Sequence, residues 1–116
     1  MKDCTRRAIA YIAGRIMTGN PKMSIYDYTS SGYFPFTGNV GGDAISVYDS
    51  TEGCYISGNL PNIYHYGNNA AITLRMEEDQ FSGYDYDESS GFSGTMSGNV
   101  VRIYDEGSAA YFTYSL

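Results

Sequence analysis

Apolar and polar residues alternate with a period of two from residue 24 to the end of the chain, in short runs separated by clusters of Gly, Asn, Ser and Asp. Such alternation predicts half-buried antiparallel strands joined by tight turns. Residues 3–18 follow a different period. Thr5, Ile9, Ile12 and Ile16, flanked by Ala8 and Ala13, fall on one helical stripe, while Arg7, Tyr11, Gly14 and Arg15 lie on the other side. Gly19-Asn20-Pro21 ends the helix. A basic amphipathic helix of this kind can lie on a membrane surface. A sheet with one apolar face also needs a cover, and the preferred reading packs the helix on the chain's own sheet.

The strand region repeats. Anchor tyrosines stand at Tyr26, Tyr48, Tyr64, Tyr84 and Tyr104, with spacings of 22, 16, 20 and 20. The basic period is therefore 20, with two residues inserted around Pro35 and four deleted around Pro61. Each anchor is preceded by Ile25, Val47, Ile63, Gly83 or Ile103 and followed by Asp27, Asp49, His65, Asp85 or Asp105. Eight residues after each anchor stands Phe34, Ile56, Ile72, Phe92 or Phe112, so each unit supplies two strands.

Gly98-Asn99 suits the positive φ angles of a tight hairpin turn and sets a register. Ser97 then faces Val100, Met96 faces Val101, Gly94 faces Ile103 and Phe92 faces Asp105. In this register a glycine opposes a large residue at the middle of each pair: Gly38 with Val47, Gly58 with Ile63, Gly94 with Ile103, and in reversed order Leu74 with Gly83. Volume compensation of this kind is required of a close-packed face, which puts the Phe/Gly/Met side inward. Glycines in mid-strand also permit sharp bends. The predicted fold is mainly β: a strongly curved antiparallel up-and-down meander or barrel of about ten strands, from five roughly 20-residue repeats, packed around one N-terminal helix. Residues 1–116 form one domain, with the helix at 3–18 and the meander at 24–116.

Thirteen tyrosines and fourteen glycines in 116 residues, with no Trp, suit short aromatic-rich strands. The net charge of −6 argues against a nucleic-acid partner, which needs a basic footprint. Charge is also unevenly placed: residues 1–22 sum to +4 and the rest to −10, so the two parts attract each other. Lys2, Arg6 and Arg7 before a short apolar run imitate a signal peptide, but Arg15 interrupts the run and no clean cleavage site follows. No stretch of about 20 apolar residues spans a membrane, and no membrane partner is expected. Cys4 and Cys54 match no motif spacing, so a reduced, cytoplasmic protein is the expectation.

Two rows carry the candidate chemistry. The first is Asp27, Asp49, His65, Asp85 and Asp105, at the end of the inward face beside the turns. These side chains could form acid/base pairs or a cation site at a barrel mouth. The preferred reading is structural, each Asp capping its own turn and pairing with Arg6, Arg7 or Arg15. Asp85-Tyr86-Asp87-Glu88-Ser89 begins like a calcium loop, but the glycine falls late at Gly91 and Met96 stands where a bidentate Glu is needed. His65 is the only histidine, so no histidine-based metal cluster or Ser-His-Asp relay can be assembled. Glu77-Glu78-Asp79 reads as a solvated turn. No catalytic residue, metal or cofactor is expected.

The second row is outward: Tyr26, Tyr48, Tyr64, Tyr84 and Tyr104, widened by Tyr28, Tyr66 and Tyr86 among Ser and Thr. Tyrosine offers rigid contact area with a hydroxyl, as found at interfaces and under stacked sugars. The Ile-Tyr-Asp-Tyr element at Ile25 to Tyr28, the Phe-Ser-Gly element at Phe92 to Gly94 and the ending Tyr111-Phe112-Thr113-Tyr114-Ser115-Leu116 resemble small uncharacterised bacterial proteins of the kind found in integron mobile gene cassettes. That resemblance implies an origin and no activity. The expected function is a non-enzymatic binding or assembly module that associates, as a homodimer, through the tyrosine face or a sheet edge. The alternative is a barrel binding a small molecule or saccharide at an aspartate-lined mouth.

Overall fold

The computed structural model describes residues 1–116. One helix, α1 (Asp3–Thr18), is followed by ten strands: β1 (Ser24–Asp27), β2 (Gly32–Gly41), β3 (Ala44–Asp49), β4 (Cys54–Asn59), β5 (Asn62–His65), β6 (Ala70–Glu77), β7 (Gln80–Asp85), β8 (Ser90–Ser97), β9 (Val100–Asp105) and β10 (Ala110–Ser115). Every strand pairs antiparallel with its sequence neighbours, and β1 also pairs with β10 through Tyr26↔Ser115 and Asp27↔Tyr114. The sheet is thus a closed up-and-down barrel, and closure leaves no unpaired edge.

The register expected at Gly98-Asn99 is present, from Ser97↔Val100 through Phe92↔Asp105. The compensating pairs Gly38↔Val47, Gly58↔Ile63 and Leu74↔Gly83 are also in place. Their cause is visible at Gly94, where an added Cβ would lie 2.6 Å from Phe81 Cε1 and 2.7 Å from the Arg102 carbonyl. The Phe81 ring occupies the volume that Gly94 leaves, so the two positions make one packing unit.

Helix α1 lies inside the barrel. Every residue from Cys4 through Gly14 is buried, so the expected division into an apolar stripe and a solvated face is incorrect. Tyr11, placed on the polar side by helical periodicity, is fully buried; its ring stacks on Phe36 at 4.6 Å and its hydroxyl donates to the Lys22 carbonyl at 2.5 Å. Arg6 and Arg7 are also buried, with their guanidinium groups 3.7 Å from the Phe112 ring centroid and 3.8 Å from that of Phe34. A helix enclosed on all sides needs no polar face, only partners for each polar group it carries. At its far end Gly19 takes the left-handed conformation, its N–H donating to the Arg15 carbonyl. There the Leu116 side chain packs where a Gly14 Cβ would stand.

Candidate functional site

The inward ends of the odd-numbered strands form a ring. Asp27, Asp49, His65, Asp85 and Asp105 end β1, β3, β5, β7 and β9, and all five are buried. Each opens a turn whose fourth following residue has positive φ: Ser31, Gly53, Asn69, Ser89 and Ala109. One oxygen of each aspartate caps that turn. Oδ1 accepts from Thr29 N at 2.9 Å in Asp27, from Thr51 N at 3.0 Å in Asp49, from Asp87 N at 3.1 Å in Asp85 and from Gly107 N at 3.0 Å in Asp105. His65 does the same with Nδ1, which accepts from Asn68 N at 3.2 Å. An imidazole and a carboxylate are interchangeable here because the turn asks only for one acceptor.

The remaining atom of each rim residue divides the ring. On one side, Asp105 Oδ2 accepts from the Met1 ammonium at 2.9 Å and from Arg6 at 3.0 Å, and Asp27 Oδ2 from Arg7 at 3.5 Å. Arg6 is held from its other side by Asp3. Arg15 takes no part, because it sits at the opposite end of α1, donating to the Tyr11 hydroxyl at 2.7 Å. On the other side, Asp49 Oδ2, His65 Nε2 and Asp85 Oδ2 are buried with no hydrogen-bond partner. The three stand on alternate strands β3, β5 and β7.

Electrostatics follow this division. Burial alone would raise the Asp105 pKa, but hydrogen bonds from the Met1 ammonium, Ser108 and Ser90 outweigh it and bring the carboxyl down to about 2. For Asp85 burial prevails over the turn hydrogen bond from Asp87, and its pKa is raised. Burial lowers the His65 pKa despite the neighbouring Asp49 and Asp85 charges. The neutral ring accepts at Nδ1, so its proton is assigned to Nε2. Burial likewise pushes the Cys4 and Cys54 thiols up, so neither is held as a reactive thiolate. No three His, Cys, Asp or Glu side chains are grouped so as to hold a metal ion. The expected opening at the barrel mouth is instead stoppered by the first turn of α1, and the row is chiefly turn caps and helix anchors.

The outer surface is arranged differently. Tyr26, Tyr48, Tyr64, Tyr84 and Tyr104 point outward, and each packs a second tyrosine ring 4.8–4.9 Å away. The second ring has two sources. Tyr33, Tyr55 and Tyr111 are cross-strand partners of Tyr26, Tyr48 and Tyr104. Opposite Tyr64 and Tyr84 stand Ala71 and Gly91, and there the second ring comes from the turn, as Tyr66 and Tyr86. Tyr26 has both, packing on Tyr28 and Tyr33. Tyr33, Tyr55 and Tyr111 are absent from the expected row, although each lies seven residues after its anchor, the spacing of a cross-strand partner across this turn.

No protein-family model, curated protein or solved structure matches this chain.

Because the barrel is closed, the tyrosines form a girdle, not one flat face. Between and beyond its rings the outward positions are mostly polar, as in Thr37, Asn39, Ser46, Ser57, Thr73, Arg75, Ser82, Thr95 and Arg102, so no apolar band crosses the outside of the barrel. No helix is long and apolar enough to cross a membrane. Tyr28, Tyr33, Tyr55, Tyr66, Tyr86 and Tyr111 are each more than half exposed, enough ring surface to contact a partner.

Proposed function

We propose that the protein is a non-enzymatic assembly module whose tyrosine girdle joins two copies of the chain. The observation that carries this reading is the arc from β4 to β7. Two cross-strand rows there, Ser57↔Tyr64↔Ala71 and Asn62↔Thr73↔Tyr84, carry no charged side chain, and Arg75 stands one outward step beyond Thr73 on β6. Paired rings project at Tyr64/Tyr66 and Tyr84/Tyr86, and the low saddle at Ala71 and Thr73 lies between them. Projections beside a saddle are self-complementary about a two-fold axis, as an isologous contact requires. Charge favours the same arc. Two copies of net charge −6 repel, and the least costly approach is along rows that carry no charge of their own.

Tyrosines suit such a contact because each buries a large, rigid area and keeps its hydroxyl available for hydrogen bonds. Outward positions, with Tyr64 half-buried and Tyr84 exposed, also make the test clean. Replacing Tyr64 and Tyr84 together by Ser is expected to convert a dimer to a monomer in light scattering while leaving the folded spectrum intact. A mass unchanged by the double substitution refutes the reading.

A further inference from the structure

After residue 22 the chain holds twelve acidic residues and two basic ones, Arg75 and Arg102. The barrel brings those two to the same place. Both line a depression of about 710 Å³ on the outer wall over β6 to β10, a volume within the usual range for a small-ligand site. Register explains the convergence. One cross-strand row runs Arg75↔Ser82↔Ser93↔Tyr104↔Tyr111, and the next runs Glu77↔Gln80↔Thr95↔Arg102. Their backbone positions stand diagonally, three inter-strand spacings across and two residues along, on the order of 15 Å apart. Short Ser and Thr side chains form the floor between them, and the tyrosine pair forms one wall.

Neither guanidinium makes a salt bridge or a side-chain hydrogen bond. All five salt bridges of the molecule involve the N-terminal segment, and none includes Arg75 or Arg102. Arg102 is held over the Tyr111 ring at 4.2 Å, an arrangement that fixes its plane and leaves its N–H groups unpaired. In so acidic a chain, two unpaired arginines at opposite ends of a hydroxyl-lined trough match an elongated anionic ligand.

We propose that this depression binds a short acidic oligosaccharide bearing carboxylates. Guanidinium groups pair with carboxylates in a bidentate fork, and the hydroxyl and Gln80 amide groups of the floor match the donors and acceptors of a sugar. The exposed tyrosine wall supplies a face for the apolar side of a sugar ring. Charges carried on strands three spacings apart suit a chain of rings better than a single one. With only two cations and the neighbouring Glu77, the site suits single dispersed charges and disfavours a polyphosphate. The depression adjoins the self-association arc along β6 and β7, but Arg75 and Arg102 are distinct from Tyr64 and Tyr84, so each reading is tested by its own substitutions.

The test is a calorimetric and 1H–15N NMR titration of the full chain with trigalacturonate, with neutral galactotriose as control. Saturable binding of the acid is expected, with shifts confined to β6–β10 and affinity at least about tenfold above that for the neutral sugar. R75Q and R102Q should each weaken it by about 10- to 100-fold, the effect of one charge-assisted pair. R102K should recover part of the loss, since it keeps the charge and loses the fork. No saturable binding, equal affinity for the two sugars, or unchanged affinity in both glutamine variants overturns the proposal. Light scattering on the same samples separates the readings: the arginine variants should leave the dimer mass unchanged, and Y64S/Y84S should leave the titration unchanged.

Discussion

Replacing Asp105 and Asp85 by Asn is the most direct measure of how the rim works, because the two residues occupy equivalent turns with different partners. In Asp105, Oδ1 accepts from Gly107 N and the Ser90 hydroxyl, each at 3.0 Å, and Oδ2 accepts from the Met1 ammonium, Arg6 and Ser108. The Asp105→Asn side chain would keep the cap but turn an amide N–H₂ toward three donors, leaving the ammonium without its counter-charge and Arg6 with Asp3 alone. Lowering the Asp105 pKa from 3.8 to about 2 corresponds to about 2.4 kcal/mol, or about 2 kcal/mol after allowing for solvent at the rim. Leaving the buried guanidinium with only the exposed Asp3 adds to this, and about 3 kcal/mol is expected in total. That is roughly a 10 °C fall in Tm for a chain of this size. Asp85→Asn should behave oppositely, because its Oδ2 has no partner and burial already disfavours its charge. A change within about 0.5 kcal/mol, or a slight gain, is expected at about pH 7. The assay is urea unfolding of both variants from about pH 2 to about pH 7. Asp105 stabilises fully above its unfolded pKa of 3.8 and loses that contribution as pH falls toward 2, so D105N should lack this part of the acid slope. Asp85 has the reverse sign: its raised folded pKa makes ionisation a penalty that grows as pH rises above 3.8, so any gain in D85N belongs to neutral pH. Equal losses in the two variants at neutral pH would refute the division of the rim into anchored and orphaned carboxylates.

His65→Asp tests the same division from the other side. It retains a turn acceptor but adds a third buried carboxylate between Asp49 and Asp85, and is expected to cost at least about 2 kcal/mol at neutral pH, with partial recovery below about pH 5 in chemical denaturation. His65→Gln should flatten the stability profile just below pH 6.5, where the unfolded imidazole takes up a proton that the folded ring, with its lowered pKa, does not. Gly94→Ala should cost about 1–3 kcal/mol by thermal melting, because the new methyl meets both the Phe81 ring and the Arg102 carbonyl. Phe81→Leu in that background should recover only the part due to the ring.

Much of the barrel wall was legible in the chain because its information is local. Cross-strand partners within a hairpin are fixed by turn length and a period of two, so Gly98-Asn99 sufficed to place Phe92 opposite Asp105. The glycine-for-bulk exchanges at Gly38/Val47 and Leu74/Gly83 then identified the inward face from volume alone. Helical period served less well, since it reports an apolar stripe only where one side of a helix meets water. Inside a barrel Tyr11, Arg6 and Arg7 are solvated by Phe36, Phe112, Phe34 and rim carboxylates, and no pattern along α1 encodes that.

What tertiary structure alone decided are the contacts between residues far apart in sequence. Closure joins Tyr26 to Ser115, and the reach of Arg6 to Asp105 spans 99 positions. From the sequence, Asp27, Asp49, Asp85 and Asp105 are four equivalent turn residues; only the placement of the helix N-terminus off to one side makes two of them anchors and leaves two with an unpaired oxygen. Arg75 and Arg102 are likewise two scattered cations until the register sets them diagonally in one trough. Local repetition determines a wall, and the asymmetry that distinguishes one part of it from another comes from what the fold brings against it.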